Sequence, residues 1–277
     1  MSTMSRYFIP IILLFHFGAD AQVTIAPPLV VMDRENPYGS FVVINRAGQE
    51  QEITISFRYG YPASDGEGNI SIQYRDDPDT SDRSAAEWVR AFPRRFVLGP
   101  MQEQTVRLTV RPQRPVPDGT YTARIITSSK QSNRDRSQAV NENELSTSID
   151  FQFNQVSALM YRHGKTTTGV EIVDIKTIDE NGSFDVIASL RKTGNSPYIG
   201  SVVLQLYDPD GKMVHEKVES IAVYKDMVRR FRIESGSVNP GEYKAELTAT
   251  TGRRSDVSPS SLIKVPDVTK TFSIVIR

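Results

Sequence analysis

The residue types that most often perform chemistry in proteins are sparse in this sequence. It contains three His and no Cys, which excludes a disulfide framework, Cys-ligated zinc, iron–sulfur clusters and thiol catalysis. His163 and His215 lie far apart, and neither is spaced from a second ligand as a metal site or a Ser–His hydrolase requires. No Gly-rich loop of the phosphate-cradling kind is present. We therefore expect a protein that binds a partner without a cofactor or metal, and not an enzyme.

One acidic segment is the best candidate for a cation site. Asp76, Asp77, Asp79 and Asp82 concentrate carboxylates, which are the ligands that Ca²⁺ prefers. The segment lacks the full EF-hand spacing and the terminal Glu. We therefore interpret residues 76–82 as an exposed acidic loop.

A basic and aromatic cluster is a candidate partner-binding surface. Trp88 and Phe92 alternate with Arg90, Arg94 and Arg95, and Trp and Arg are common at interface hot spots. The alternative is that the arginine stems lie beside a buried aromatic ring. From this cluster we take Trp88, Arg94 and Arg95 as candidates.

A second candidate surface is a short alternating segment. Ile149, Phe151 and Phe153 alternate with polar residues and follow the long polar stretch 128–148. Such alternation predicts a strand with one apolar face, which either meets a partner or packs the domain's own core. The alternation then changes phase to Val156, Ala158 and Met160, which predicts a bulge near residues 154–155.

The elements that would position these residues are predicted to be strands. Apolar residues alternate with polar ones throughout, and turn signals such as Asp118-Gly119 and Pro240-Gly241 separate the runs. The best helix candidate is short, around residues 84–90. This pattern predicts an all-β fold of two immunoglobulin-like β-sandwich domains.

A sequence motif that occurs once in each half of the chain supports two sandwiches. Gly119-x-Tyr121-x-Ala123 matches Gly241-x-Tyr243-x-Ala245, roughly one domain length apart. A turn followed by Gly-x-Tyr entering a strand is typical of a tyrosine corner, in which the Tyr hydroxyl bonds backbone a few residues upstream.

Charge and the N-terminus indicate the compartment. Lys+Arg and Asp+Glu are both 33, so no charge excess favours nucleic acid as a partner. Arg6, the apolar run 7–17, and Ala19 and Ala21 form the layout of a secretory signal peptide. No later segment reaches 18 apolar residues, so we expect no integral membrane segment after signal cleavage. We predict a signal peptide at 1–21, domains at 22–163 and 164–277, and a periplasmic location, with the cell surface or secretion as the alternative.

Residues 22–165 resemble the periplasmic pilus-assembly chaperones of the chaperone–usher pathway. The features that correspond, in chain order, are a first strand at 23–32 broken by Pro27-Pro28, a strand at 41–45 ending in Asn45, the Pro-rich approach at 92–100, a strand at 104–108, and the junction Leu159-Met160-Tyr161-Arg162. The resemblance consists of a matching order of strands and does not include an invariant catalytic motif. The second half is similar to immunoglobulin-like domains only in general terms.

The resemblance implies a function. The family lends the long last strand of its first domain to an unfinished subunit, and Ile149, Phe151 and Phe153 would have that role here, with Arg162 at the junction. The implied partners are exported, pilin-like subunits, bound by strand pairing without ATP. The alternative function is a structural or adhesive surface component with passive domains.

The chain departs from the family at one site. The family holds its subunit's C-terminal carboxylate with an Arg on the first strand and a Lys on the last. Pro27 or Pro28 stands in place of that Arg, and Ser157 or Ala158 in place of the Lys. We therefore expect partner capture that depends little on a carboxylate.

The signal peptide gives a direct prediction. Cleavage should fall between Ala21 and Gln22, because the small residues Ala19 and Ala21 suit a signal peptidase pocket. N-terminal sequencing of the exported protein should begin at Gln22, and a mature chain beginning at Met1 would contradict the assigned compartment.

Overall fold

Seventeen strands in four sheets make up most of the computed structural model, which describes residues 23–113, 115–132, 151–180, 183–234 and 236–276. The all-β prediction is confirmed. The predicted signal peptide and Ile149 lie outside the described residues. The strands are β1 Val23–Ala26, β2 Leu29–Asp33, β3 Tyr38–Asn45, β4 Gln51–Ser64, β5 Ile70–Arg75, β6 Val89–Phe92, β7 Arg95–Leu98, β8 Glu103–Val110, β9 Gly119–Gln131, β10 Gln152–His163, β11 Thr168–Glu180, β12 Ser183–Gly194, β13 Tyr198–Tyr207, β14 Met213–Val223, β15 Met227–Glu234, β16 Gly241–Thr250 and β17 Val268–Ile276.

Helical structure is confined to single turns. The 3-10 turns described are Thr80–Asp82, Ala86–Trp88 and Pro259–Ser261. The helix expected at 84–90 is wrong, because Val89 is buried and begins β6, which pairs with β8. In the part of the chain that the structure describes, no helix has the length and apolar character needed to cross a membrane.

The first sandwich is built from β1–β10. One sheet has the order β1-β3-β8-β6, and the other has the order β2-β10-β9-β4-β5, with β7 also paired to β4. Apolar side chains from both sheets meet between them and are almost fully buried. The largest include Phe41, Ile53, Ile55, Leu108, Ile125 and Leu159.

The second sandwich is built from β11–β17. Its sheets have the orders β11-β12-β15 and β14-β13-β16-β17, and its core is separate from the first. The largest buried side chains of that core include Tyr198, Leu190, Leu204, Leu206 and Phe231. Strand β10 ends at His163 and β11 begins at Thr168, and no strand pair among the described residues joins the two sandwiches.

The two predicted tyrosine corners are confirmed. The Tyr121 hydroxyl donates to the Pro117 carbonyl at 2.9 Å, and the Tyr243 hydroxyl donates to the Asn239 carbonyl at 2.7 Å. Each bond spans four residues and fixes the turn that leads into β9 or β16.

The break at Pro27-Pro28 moves the first strand from one sheet to the other. Strand β1 pairs with β3, whereas β2 pairs in parallel with β10. Proline has no N–H to donate to a ladder, so the chain leaves one sheet there and joins the other. The predicted broken strand is therefore present, with its two halves in opposite sheets.

The bulge predicted near residues 154–155 is absent. The register between β9 and β10 runs without interruption from Gln152 to His163. The change of phase reflects two buried faces. Leu159 and Tyr161 enter the sandwich core, while Met160, on the opposite face, packs against the second domain.

A small apolar cluster joins the two sandwiches. Tyr59, Tyr61 and Met160 of the first sandwich pack with Tyr224, which follows β14 in the second. We call these four residues the junction cluster. Because Tyr224 is 8% exposed, this contact removes nearly all of its ring from water.

A buried carboxylate lies beside the junction cluster. The Asp82 carboxylate accepts from Arg75 at 2.6 Å and from Lys225 of the second domain at 2.8 Å, and its side chain is fully buried. Burial raises the pKa of Asp82, but the hydrogen bonds from Lys225 and Arg75 outweigh burial and hold this pKa below its ordinary value of 3.8. The ion pair therefore links the domains whenever Asp82 is ionised.

This arrangement predicts that an Asp82→Asn variant is less stable than the parent, by an amount that depends on pH. At pH 7 the substitution should lower the free energy of unfolding by about 1–3 kcal/mol, because Asn forms weaker hydrogen bonds with the two cations. The pKa of Asp82 is lower in the folded than in the unfolded state. The carboxylate's contribution to stability is therefore fully present above about pH 4 and is lost as the pH falls through the folded-state pKa. The measurement is urea unfolding of parent and variant at pH 7 and below pH 4.

Asp76→Asn is the control for this test. Asp76 bonds Arg58 at 2.7 Å, but its side chain is 85% exposed, so its loss should change stability little. Equal effects of the two substitutions, or an Asp82 effect that does not decrease with acid, would contradict this role of Asp82.

Candidate functional site

The first half of strand β10 has a free edge among the described residues. On one side, β10 pairs with β9 over its whole length. On the other, β2 pairs only with residues 158–162, and the Ala158 N–H donates to the Pro28 carbonyl at 2.9 Å where that pairing begins. Residues 152–157 therefore present unpaired backbone groups, since β1 has left for the opposite sheet.

Two large aromatic side chains lie at this edge. Phe151 is 66% exposed and Phe153 is 46% exposed. Their positions in the alternation place them on the same face as Leu159 and Tyr161, but neither belongs to the described core. Of the two alternatives left open by the sequence, filling the domain's own core is contradicted for Phe151 and Phe153.

The face between these aromatics and the core is polar. Gln155 and Ser157 follow Phe153 on that face, and Thr127 lies beside Gln155 on β9. The Gln155 side-chain amide donates to the Val23 carbonyl of β1, which bridges the two sheets. The apolar run at this edge thus ends at Phe153, and the core begins at Leu159.

The basic and aromatic cluster is divided by the fold. Trp88 turns inward, packs against the core and lies 4.8 Å from the Tyr121 ring centroid. Arg94 and Arg95 are exposed, and the Arg94 Nε donates to the Ile55 carbonyl at 3.2 Å. Trp88 therefore has a packing position, whereas Arg94 and Arg95 remain candidates on the surface.

Arg162 belongs to the domain junction. Its guanidinium donates to the Ser261 carbonyl of the second domain at 2.6 Å, and in the register it lies beside Asp33. Burial lowers the pKa of Arg162, while the neighbouring Asp33 carboxylate raises it. Nine residues of extended chain, about 30 Å, separate Arg162 from Phe153. Arg162 thus contacts the second domain and not the free edge.

Apart from Met160 and Arg162, the residues that form the junction were not identified from the sequence. Asp82 was expected in an exposed acidic loop and is instead fully buried between two cations. Asp79 of the same segment caps the following turn through the Ser81 and Asp82 N–H groups. Within the described residues, no three His, Asp or Glu side chains gather as a metal site would need.

Arg124 is a second junction residue that sequence reasoning missed. Its Nε donates to the Gly60 carbonyl at 3.0 Å, and its guanidinium lies 5.3 Å from the centre of the Tyr224 ring. Arg124 pairs with Ala158 in the register, next to the Pro28 contact. Neither Pro28 nor Ala158 is a cation, and the charged side chain beside them is Arg124.

The exposure of the two aromatics predicts that they are dispensable for stability. Replacing Phe151 and Phe153 together by Asp should change the free energy of unfolding by no more than about 1 kcal/mol, because exposed positions contribute little. Leu159→Ala on the same strand should cost about 2–5 kcal/mol, because Leu159 is fully buried. Urea unfolding followed by circular dichroism compares them. A loss in the double variant as large as that in Leu159→Ala would show that the aromatics fill the core.

Comparison with known proteins finds similarity in structure alone. No family model matches the sequence, and no curated protein matches it. The chain is similar to the YadV chaperone at 12% identity and a TM-score of 0.42, covering 92% of this chain and 100% of that one. It is similar to the class 5 fimbriae chaperone CfaA at 12% identity and 0.43, covering 90% and 98%. It is also similar to the E. coli chaperone DraB at 13% identity and 0.39, covering 92% and 98%.

Proposed function

We propose that this protein is an exported, chaperone-like binder that holds another exported protein by strand pairing. The observation that carries this proposal is the free edge at residues 152–157, with Phe151 and Phe153 exposed beside it. A strand with unpaired backbone groups is a template onto which another chain can add a strand. Backbone hydrogen bonds would then supply affinity, and the aromatic side chains would supply specificity.

The energy for this capture comes from association itself. Phe151 is 66% and Phe153 46% exposed, so burying the remainder of each ring in a partner's groove contributes about 1–2 kcal/mol. The sequence has no phosphate-cradling loop, which agrees with capture and release of the partner without ATP. The function proposed here is therefore binding without catalysis.

The partner we propose is an exported subunit that lacks a strand of its own, as pilin-like proteins do. The apolar and basic start of the sequence supports export, and the absence of Cys agrees with a periplasmic chain that folds without disulfides. An unfinished sandwich has an apolar groove that must be covered until assembly. Pairing along the free edge of β10 would cover such a groove with one strand.

Capture should depend little on the partner's C-terminal carboxylate. A buried carboxylate needs cationic partners, and neither Pro28 nor Ala158 offers one where β2 and β10 meet. The neighbouring Arg124 guanidinium is buried, donates to the Gly60 carbonyl and lies over the Tyr224 ring, so it is already engaged within the protein. We expect that removing the last residues of the captured protein weakens binding much less than changing the aromatic pair does.

The experiment is affinity purification of the tagged protein from the periplasm of cells that produce it, with bound proteins identified by mass spectrometry. The parent should retain an exported protein, and the Phe151→Asp/Phe153→Asp variant should lose most of it. Val275→Asp is the matched control, because Val275 is 49% exposed on strand β17 of the second sandwich.

The outcomes separate the competing functions. Loss of the bound protein in the aromatic variant alone supports strand pairing at β10. Equal retention by all three proteins would exclude it, and a parent that retains no exported protein would favour a passive surface component.

A further inference from the structure

A hairpin of the first domain reaches beyond its own sandwich. The pairing of β4 with β9 ends at Arg58, and from Tyr59 onward β4 pairs only with β5. Beyond the junction tyrosines this hairpin continues as residues 62–72, which we call the strap. The strap turns at Asp65–Asn69 and lies against strand β15 of the second sandwich.

The strap covers an edge strand. Among the described residues, strand β15 is the last strand of its sheet and pairs with β12 alone. Its Val228 N–H donates to the Ser64 Oγ of the strap at 2.6 Å. One backbone donor of this edge, which would otherwise be unpaired, is thus satisfied from the other domain.

The tip of the strap fits closely against the backbone of β15. Gly68 is buried, and a Cβ placed on it would lie 2.7 Å from the Arg230 nitrogen and 3.1 Å from the Arg229 carbonyl carbon. Its φ of +87° also favours glycine. The Glu67 carboxylate lies 3.6 Å from the Arg230 guanidinium. Only glycine allows this approach.

Hydrogen bonds within the strap hold the shape of its tip. The Asp65 carboxylate accepts from the Glu67 N–H at 2.9 Å, the Asn69 N–H at 2.9 Å and the Asn69 side-chain amide at 2.7 Å. These hydrogen bonds keep the pKa of Asp65 below its ordinary value. The turn that presents Gly68 is therefore structured by the strap's own residues.

We infer that the strap is a brace that fixes the angle between the two sandwiches. The junction cluster and the Asp82–Lys225 pair hold the second domain near its β14–β15 turn. The strap holds the same domain farther along β15, at Val228 and Arg230. The domains also meet where Arg162 donates to the Ser261 carbonyl and where the Thr120 N–H and hydroxyl bond Asn195 and Ser196. The strap adds a contact along β15, and this contact limits rotation of the second sandwich about the others. The second sandwich is thereby kept in a fixed position relative to β10.

The test measures the interdomain distance and needs no partner. Because the chain has no Cys, spin labels can be placed at Gly48→Cys and Asn239→Cys, both in exposed loops of different domains. Pulsed electron–electron double resonance should give a narrow distribution of the distance between the two labels in this labelled parent. Adding Gly68→Ala should broaden the distribution and add distances outside the parent's range.

Two controls separate docking from backbone strain. Gly211 has a φ of +81° in a hairpin turn of the second domain, but a Cβ there meets no atom within 4 Å. Gly211→Ala therefore strains a turn without a clash between domains, and Gly66→Ala changes the strap's turn in open space. Both should keep the parent's distribution.

A second variant removes the contacts without strain. Ser64→Ala combined with Glu67→Ala deletes the bond to Val228 and the charge opposite Arg230, and should also broaden the distribution. This variant decides the result if Gly68→Ala does not fold. An unchanged distribution in a folded Gly68→Ala protein, or equal broadening in Gly211→Ala, would overturn the brace.

Discussion

The proline pair at 27–28 is the constraint on which the free edge of this protein depends. Strand β1 joins one sheet before it, and β2 joins the other after it. Strand β10 is therefore covered by β2 only from Ala158 onward, although β9 pairs with it from Gln152. Since proline cannot donate to a ladder, a pair of prolines is an effective way to end one pairing and begin another. A continuous first strand in the β2 sheet would pair with this edge and remove the proposed binding site.

Strand β10 has a different role at each end. Leu159 and Tyr161 anchor its second half in the core, so this half cannot leave without a large loss of stability. Phe153 in its first half and Phe151 directly before it are exposed, and this half has a polar inner face and is held mainly by β9. One strand is thus both a structural member of its domain and a surface that can be offered to a partner. The second domain lies beside this strand, held by the junction cluster, the Asp82 ion pair, the Arg162–Ser261 contact and the inferred brace at β15.

Local patterns in the sequence predicted the features whose causes are local. The Gly-x-Tyr motifs gave the tyrosine corners at Tyr121 and Tyr243, and the alternation gave the all-β fold. Alternation alone could not decide whether Phe151 and Phe153 face a core or solvent, because the pattern is the same in both cases. Whether these two rings face a core or solvent depends on how far the sheet that contains β1 extends opposite them.

Features that depend on distant partners were not predictable in the same way. Asp82 is buried because Lys225, 143 positions away, neutralises it, and no local spacing signals that contact. Trp88 and Arg94 are close in sequence, but one points into the core and the other outward. The helix expected at 84–90 gave way to strand β6 because Val89 gains burial by pairing with β8. In each case tertiary contacts outweighed the local preference.

Amide hydrogen exchange of the captured complex is the most direct measure of strand pairing at β10. In the free protein, amides of residues 152–157 that point away from β9 should exchange rapidly, because no described strand covers them. When the partner is bound, these amides should become strongly protected, while those of the second sandwich stay unchanged. Protection confined to other surfaces, with rapid exchange persisting at residues 152–157, would contradict strand pairing as the mode of capture.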